Sequence, residues 1–533
     1  FVHVLLRDVA YGQIPRAARA GRHLAAAGWI ESLGRPEDKA EMLAHHYLAA
    51  LELARAAGLD TGDLAPRARS ALHGAGDRAL ALNAFAVAAG FYRAALGLWP
   101  DDAGAERADL LFRLAVALGG AGEDDDGEAM EQARSALLAA GDRAGAAEAE
   151  ARLGEMWWLS GDRDRAFGHL GRAQELVRDE PASAGKAYVL SELARYRMVA
   201  GEFDPQTSRE ALELAEELGL GEIGAHVLIT TGSGRVTLGD PQGKADIQRG
   251  LEIALAGNYL AAVVRGYSNL AGTAHSVDGD LSEGLRLALE AEKAAQRLGT
   301  RAWLRWTRAH LVGLWFELGN WDKCAPAADE FLAQSAALGP HYYDAYVRCC
   351  RSWMRLARGD VQAALADQRE SLVSGRQAKD PQALHPALAF SAYVLAAVGR
   401  TSEALPLLSE LFTTEVVDLR GLYESCTDFV LAADMLGQRA QARRWLGTRR
   451  DSPWFVAARA LADQEFVAAA GVLDSMGAAR LAALARLRAA QQLAGTGRRA
   501  EADDQLRPAL GFFRSVGATR FIREGETLLA ASA

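Results

Sequence analysis

A glycine returns about every 40 residues in this chain, at the same place in the pattern each time. Gly161, Gly201, Gly239, Gly279, Gly319, Gly359, Gly399 and Gly437 are separated by 40, 38, 40, 40, 40, 40 and 38 residues. Five positions on, most copies carry a small residue: Ala166, Gly284, Cys324, Ala364, Ala404 and Ala442. A second series, Gly219, Gly257, Gly299, Gly339 and Gly375, runs between them. Two interleaved turn signals at one period describe one unit copied many times: two helices, one turn inside the unit and one leading to the next.

The stretches between the glycines carry apolar residues at helical spacing. After Gly279, Leu281, Leu285, Ala288, Ala295 and Leu298 mark one face; in the next stretch Leu304, Leu311, Trp315 and Leu318 do the same. Glycine suits each helix end, because it enters the left-handed conformation at little cost. The small residue five positions on marks where the paired helices approach closely. Alternating strand patterns are essentially missing. The expected fold is all-α: a right-handed superhelical solenoid of ten or more helical pairs.

In a repeat array each unit packs on its neighbours, so 533 residues need not divide into several globular domains. Half the residues are hydrophobic and 24% are charged, which supports a folded chain. The net charge of −10 argues against bulk attraction to nucleic acid or anionic membrane. The four cysteines, Cys324, Cys349, Cys350 and Cys426, form no CxxC pair, so neither a disulfide framework nor a zinc site is expected. A reducing cytoplasm is the simplest setting. We see no membrane-spanning run and no secretory signal. The chain opens on Phe1 inside a patterned segment, so a longer parent protein is expected.

Residues 63–100 hold Ala84, Ala88, Phe91, Tyr92, Ala95, Leu98 and Pro100. This resembles the tetratricopeptide (TPR) pattern of a small residue, an aromatic and a closing proline. The longer period of the later units is similar to the TPR-like units of MalT-type bacterial regulators. At the N-terminus, Phe1, His3, Leu5, Arg7, Asp8, Val9, Ala10 and Tyr11 lead into Pro15-Arg16, Arg19 and His23. This looks like the end of the winged-helix part of STAND-type signalling ATPases. It most resembles proteins joining a class III nucleotide cyclase, an AAA-like ATPase and a TPR-like region. The tail, from Phe512-Phe513-Arg514 to Glu526, resembles the same group. The implied organisation is a winged-helix remnant over 1–35, a linking helix over 36–62, the array over 63–508 and capping helices over 509–533. The resemblance also implies upstream ATPase and cyclase domains in cis. Their ATP and Mg would be held there: Gly185-Lys186 and Gly243-Lys244 lack the glycine and Ser/Thr of a Walker A loop.

No constellation supports catalysis, and no cofactor or metal is expected within this chain. Thr230-Thr231-Gly232-Ser233-Gly234 superficially resembles a phosphate loop, but it falls where a helix is expected and reads as close packing. His45-His46 diverge by about 100° on a helix and have no acidic or cysteine partner at ligand spacing, so they read as one buried and one exposed histidine, while His3 and His23 read as packing or capping residues. Glu123-Asp124-Asp125-Asp126 misses EF-hand spacing and reads as a solvated loop.

Overlaying units at the 40-residue offset places Trp303 on Tyr343, Trp306 on Tyr346, Arg308 on Arg348 and Arg301 on His341. Both segments are first helices of their units. Stacked along a concave face, these residues and Arg305 would form aromatic and basic ladders, extended by Arg265 and Tyr267. Such a groove suits an acidic peptide or a small anionic effector. The competing reading makes the aromatics inter-repeat core and pairs the arginines with acids on the next helix. The expected function is a non-catalytic regulatory scaffold that binds a protein partner or effector and serves a signal-transduction ATPase or cyclase. The alternative is the inducer-sensing region of a MalT- or SARP-like transcriptional regulator.

Overall fold

The computed structural model describes residues 9–34, 39–99, 104–122, 126–413, 423–447 and 452–532. Phe1, His3, Leu5, Arg7, Asp8, Pro100 and residues 123–125 of the acidic run lie outside them. Among the described residues every regular element is helical, from Arg16–Ser32 to Thr519–Ser532, with one π-helical segment at Thr273–Asp278. The protein is an all-α, TPR-like array of helical pairs.

All eight glycines of the first series have positive φ, from 69° at Gly279 to 88° at Gly201. Each lies at a helix end. At Gly319 the glycine N–H donates to Phe316 O and the next N–H, of Asn320, reaches back to Trp315 O at 2.8 Å. The same pair of bonds recurs at Gly161, Gly201, Gly239, Gly359, Gly399 and Gly437. This Schellman closure satisfies orphan carbonyls and needs the left-handed residue. The second series is less uniform. Gly219, Gly299 and Gly339 turn the chain, but Gly257 and Gly375 lie inside helices and leave the positive φ to Asn258 and Lys379. Gly375 serves close packing instead: an added Cβ would stand 3.1 Å from Ala383 O and from Ala387 Cβ.

The residues five positions after the turns sit at the crossing of paired helices. Ala166, Cys324, Ala364, Ala404 and Ala442 are fully buried. Ser352, across the pair, donates to the carbonyl of Ala364 at 2.8 Å. First helices also pack on the first helices of neighbouring units: Asp344–Ala357 on Pro381–Ala397, that helix on Cys426–Met435, and that on Pro453–Ala462. A first helix is therefore covered on several sides. This corrects the one-face expectation for Arg301–Leu318. Leu304, Trp315 and Leu318 are only partly buried, whereas Thr307, Ala309, Val312, Gly313, Leu314, Phe316 and Glu317 are buried.

Two compact units are distinguished. The first comprises Phe1–Leu153, Gly171–Pro181 and Gly299–Arg301; the second comprises Gly154–Leu170, Ala182–Leu298 and Ala302–Ala533. In the first, the TPR-like segment buries Ala88, Tyr92 and Ala95, and Tyr92 donates to Asp77 at 2.8 Å. The absence of a side chain at Gly76 leaves room for the Tyr92 ring. The helices Ala40–Ala56 and Leu64–Ala81, assigned above to linker and array, belong to this same unit. In the second unit the boundary drawn at 508–509 falls inside the helix Arg499–Ser515.

The segment Thr230–Gly234 lies within the helix Gly221–Leu238. A Cβ on Gly243 would meet Gly232 O at 2.5 Å and Val236 N at 2.6 Å, so these glycines let two helices touch through their backbones. None of the described helices is long and apolar enough to cross a membrane.

Candidate functional site

The second unit contains a cavity of about 270 Å³. Its wall is assembled by the repeat register. Tyr196, Val236 and Ser276 stand 40 residues apart and all line it; so do Ser233, Thr273 and Gly313, and so do Trp306, Tyr346 and Pro386. One position in successive copies faces one space.

Aromatic rings form a continuous side. Trp158 stacks on Tyr342 at 5.7 Å, Tyr342 on Trp306 at 5.8 Å, and Tyr343 meets Trp306 edge-on at 4.7 Å. Tyr196 closes on Trp158 at 5.3 Å. Gly313 admits the next ring, because a Cβ there would lie 2.7 Å from Tyr346 Cε1. The π-helical segment Thr273–Asp278 supplies His275, Ser276 and Val277. Its wider turn alters the glycine closure: Asp280 N–H bonds to Ala274 O, six residues back instead of five. Such segments are enriched at functional sites.

Two ionisable groups of opposite sign face the same cavity, each without an ion partner among the described residues. Arg265 is buried. It donates to His226 Nδ1 at 2.7 Å and to Thr230 Oγ1 at 2.9 Å, and makes no ion pair with a carboxylate among the described residues. Because the guanidinium can only donate, the proton of neutral His226 resides on Nε2. Burial, then the neighbouring Arg195, lowers the Arg265 pKa to about 10. Arg195 itself is held by Glu155 at 3.1 Å and Glu192 at 3.0 Å. Glu424 is the counterpart. Its Oε2 is buried with no hydrogen-bond partner among the described residues, and burial pushes its pKa up. The field of Glu424 is felt at Tyr343 and Tyr346, whereas Arg265 responds to Arg195, Glu192 and Tyr196.

Four further buried polar atoms of the lining have no partner among the described residues: Tyr196 Oη, Ser268 Oγ, His275 Nε2 and Tyr346 Oη. Leaving a buried polar group unsatisfied costs about 1–3 kcal/mol. Five on one wall form a surface made to meet a polar guest. Burial lowers the pKa of His275 to about 4 and of His310 to about 3, so both are neutral near pH 7.

Of the residues singled out from sequence, Arg265, Trp303, Trp306, Tyr343 and Tyr346 line this cavity. The others are placed elsewhere. Arg305 donates to Ser335 Oγ at 2.7 Å beneath Phe331, and His341 packs on Phe331. Arg308 bridges Glu292 and Glu330, and Arg348 lies beside Asp344. Tyr267 is partly buried outside the lining, and Arg301 belongs to the first unit, where it lies against Gly122. The expected ladders are thus corrected. Tyr343 meets Trp306 edge-on while Tyr342 stacks on it, and Arg308 and Arg348 lie beside acids and outside the cavity lining. Trp158, Arg195, His310 and Glu424 were missed. The 40-residue register could have drawn in Tyr196 and Ser276, but the π-helix and Glu424 carry no periodic signal.

Fold and site together define a helical-repeat array with a cavity that has an aromatic wall and several buried polar groups. No protein-family model matches the sequence, and no curated protein matches it. Among solved structures, the chain is similar to a signal-transduction ATPase with numerous domains and a tetratricopeptide repeat sensor from Pyrococcus horikoshii. That match has 13% identity, covers 75% of this chain and 71% of the other, and has a TM-score of 0.38. A Rap protein complexed with competence and sporulation factor aligns at 10% identity over 70% of this chain and 99% of its own, with a TM-score of 0.42. The Cut9–Hcn1 hetero-tetramer of APC/C aligns at 11% identity over 86% and 94%, also with a TM-score of 0.42.

Proposed function

We propose that this chain is a non-catalytic binding and regulatory module whose cavity takes a small effector carrying both an acid and an amine. The observation that carries this reading is the set of five unpartnered buried polar atoms lining one cavity, together with an unpaired guanidinium. A carboxylate or phosphate would complete Arg265, and an ammonium would complete Glu424. The aromatic wall favours a cation or a flat apolar part between them. The volume suits a molecule of amino-acid size.

Occupancy would regulate by favouring one packing of the repeats over another. The N-terminal motif supports a place in cis with an upstream ATPase or nucleotide cyclase in the cytoplasm. The 40-residue repeat supports the second reading, the inducer-sensing region of a MalT- or SARP-like regulator. A protein partner elsewhere on the array is compatible with either.

The test is calorimetry and thermal-shift measurement on the full chain with amino acids and other amine-bearing acids. Wild type is expected to bind one such class. Arg265→Leu should lose affinity for the acid end and Glu424→Gln for the amine end. Binding of simple anions alone, unchanged by Glu424→Gln, would overturn the acid-plus-amine reading.

A further inference from the structure

The first unit carries a second constellation that is independent of the cavity. His23 on the helix Arg16–Ser32 meets His45 and His46 on the helix Ala40–Ala56. His23 Nδ1 lies 2.9 Å from His46 Nδ1. One ring nitrogen from each of the three histidines lies within 4.8 Å of the other two. Ring centroids are 5.1 Å apart for His23 and His46, 5.8 Å for His23 and His45, and 5.2 Å for His45 and His46. The spacing argument above sought a partner on the histidines' own helix. The third ring comes from the neighbouring one.

Two imidazole nitrogens at 2.9 Å share one proton, since two lone pairs would repel and two N–H groups would clash. Tyr11 Oη lies 2.6 Å from His23 Nε2. When that hydroxyl donates, His23 carries its proton on Nδ1 and gives it to His46. A metal ion replacing the shared proton would need zinc–nitrogen bonds of about 2.0–2.1 Å, hence nitrogens about 3.4 Å apart. Small rotations of side chains that are exposed or partly buried open the pair that far.

We propose that His23, His45 and His46 form a site for a divalent transition-metal ion, with zinc the fitting choice, that clips the first two helices together. Three imidazoles suit zinc, nickel or copper and disfavour magnesium and calcium, which take oxygen ligands. The fourth position is left to solvent. Tyr11 is a positioning residue: in the loaded site its hydroxyl oxygen accepts from His23 Nε2–H and holds the Nδ1 lone pair toward the ion. Loading the site moves the His23 proton from Nδ1 to Nε2, where Tyr11 Oη turns from donor to acceptor.

The test uses the untagged full chain, freed of metal by a chelator, then titrated with Zn²⁺ by calorimetry and with Co²⁺ by visible absorption. Expected are one equivalent of Zn²⁺ and a Co²⁺ ligand-field band of a nitrogen-coordinated, low-symmetry ion. His23→Gln and His46→Gln should each abolish saturable binding, with unchanged helical circular dichroism. Tyr11→Phe should keep the stoichiometry and weaken affinity by about tenfold. Exposed His45 provides a variant that leaves the packing alone, and His45→Gln should weaken Zn²⁺ without affecting folding. Zn²⁺ binding no tighter than Mg²⁺, a Co²⁺ spectrum like that of the aqueous ion, or full stoichiometry in His23→Gln would each overturn the site.

Discussion

Arg480 grips Asp428 through two hydrogen bonds, of 3.0 and 2.9 Å, and neither side chain reaches solvent. The same guanidinium takes Glu317 at 3.1 and 2.7 Å. The rings of Phe316 and Trp353 lie under it, at 4.4 and 4.8 Å. Trp353 Nε1 donates to Asp428 at 3.1 Å. One cation thus serves two buried carboxyl groups from separate helices. Burial pushes the Glu317 pKa up to about 7 against the pull of Arg480, and nearby Asp428 adds to the rise.

Arg480→Met leaves Asp428 and Glu317 facing each other without a cation. It should destabilise the second unit by about 3–5 kcal/mol, the cost of breaking a buried pair from one side. Arg480→Lys should not rescue it, because an ammonium cannot serve both carboxyl groups as a planar fork does. Glu317→Gln should cost far less, since Glu317 already holds its proton for part of the time near neutrality. Urea unfolding followed by circular dichroism would rank the three variants.

Acid should destabilise the second unit through its buried neutral histidines. An unfolded histidine takes up a proton near pH 6.5, but folded His275 and His310 resist until about 4 and about 3. Below 6.5 the unfolded state therefore binds more protons, and stability falls as pH falls toward 4. Each histidine should account for about 2 kcal/mol of loss by pH 5. Melting temperatures between pH 7.5 and 5 should decline steeply, and His310→Gln should flatten the curve. An equal slope in that variant would show that His310 does not titrate as described.

Two glycines should fail for different reasons when changed to alanine. Gly232 supports helix contact: the Cβ would fall against Ile247 N at 2.8 Å and against the carbonyl of Gly243. Overpacking of this kind costs about 1–3 kcal/mol. Gly161 has open space around it but sits at φ 83°, where a side chain costs about 1–2 kcal/mol. Asparagine tolerates the left-handed conformation, so Gly161→Asn should recover stability relative to Gly161→Ala. Gly232→Asn should be worse than Gly232→Ala. Chemical denaturation of the four variants checks both statements.

The four thiols should be silent in the native protein. Cys324, Cys349, Cys350 and Cys426 are all buried, and burial pushes their pKa values up, that of Cys349 to about 12. A thiol reagent should label none of them at pH 8 before unfolding and all four in denaturant. Rapid labelling of the native chain would place a cysteine at the surface.

Much of the architecture was legible in the amino-acid order because its determinants are local. A left-handed helix end selects glycine wherever it occurs, so Gly319 and Gly399 announce their turns without reference to any distant residue. A close helix crossing selects a small side chain, so Ala364 and Ala404 mark the pairs. Register alone grouped Trp303, Trp306, Tyr343, Tyr346 and Arg265, which line one cavity, because equivalent positions in a stacked array face the same way. What only tertiary structure decided depends on partners far apart in the chain. The fate of Arg308 turned on Glu292 and Glu330, and that of Arg480 on Glu317 and Asp428. The orphaned Glu424, the π-turn at His275 and the approach of His23 to His46 leave no periodic trace. Charge pairing and ring convergence act through space, and a spacing rule along one helix is blind to what the next helix brings.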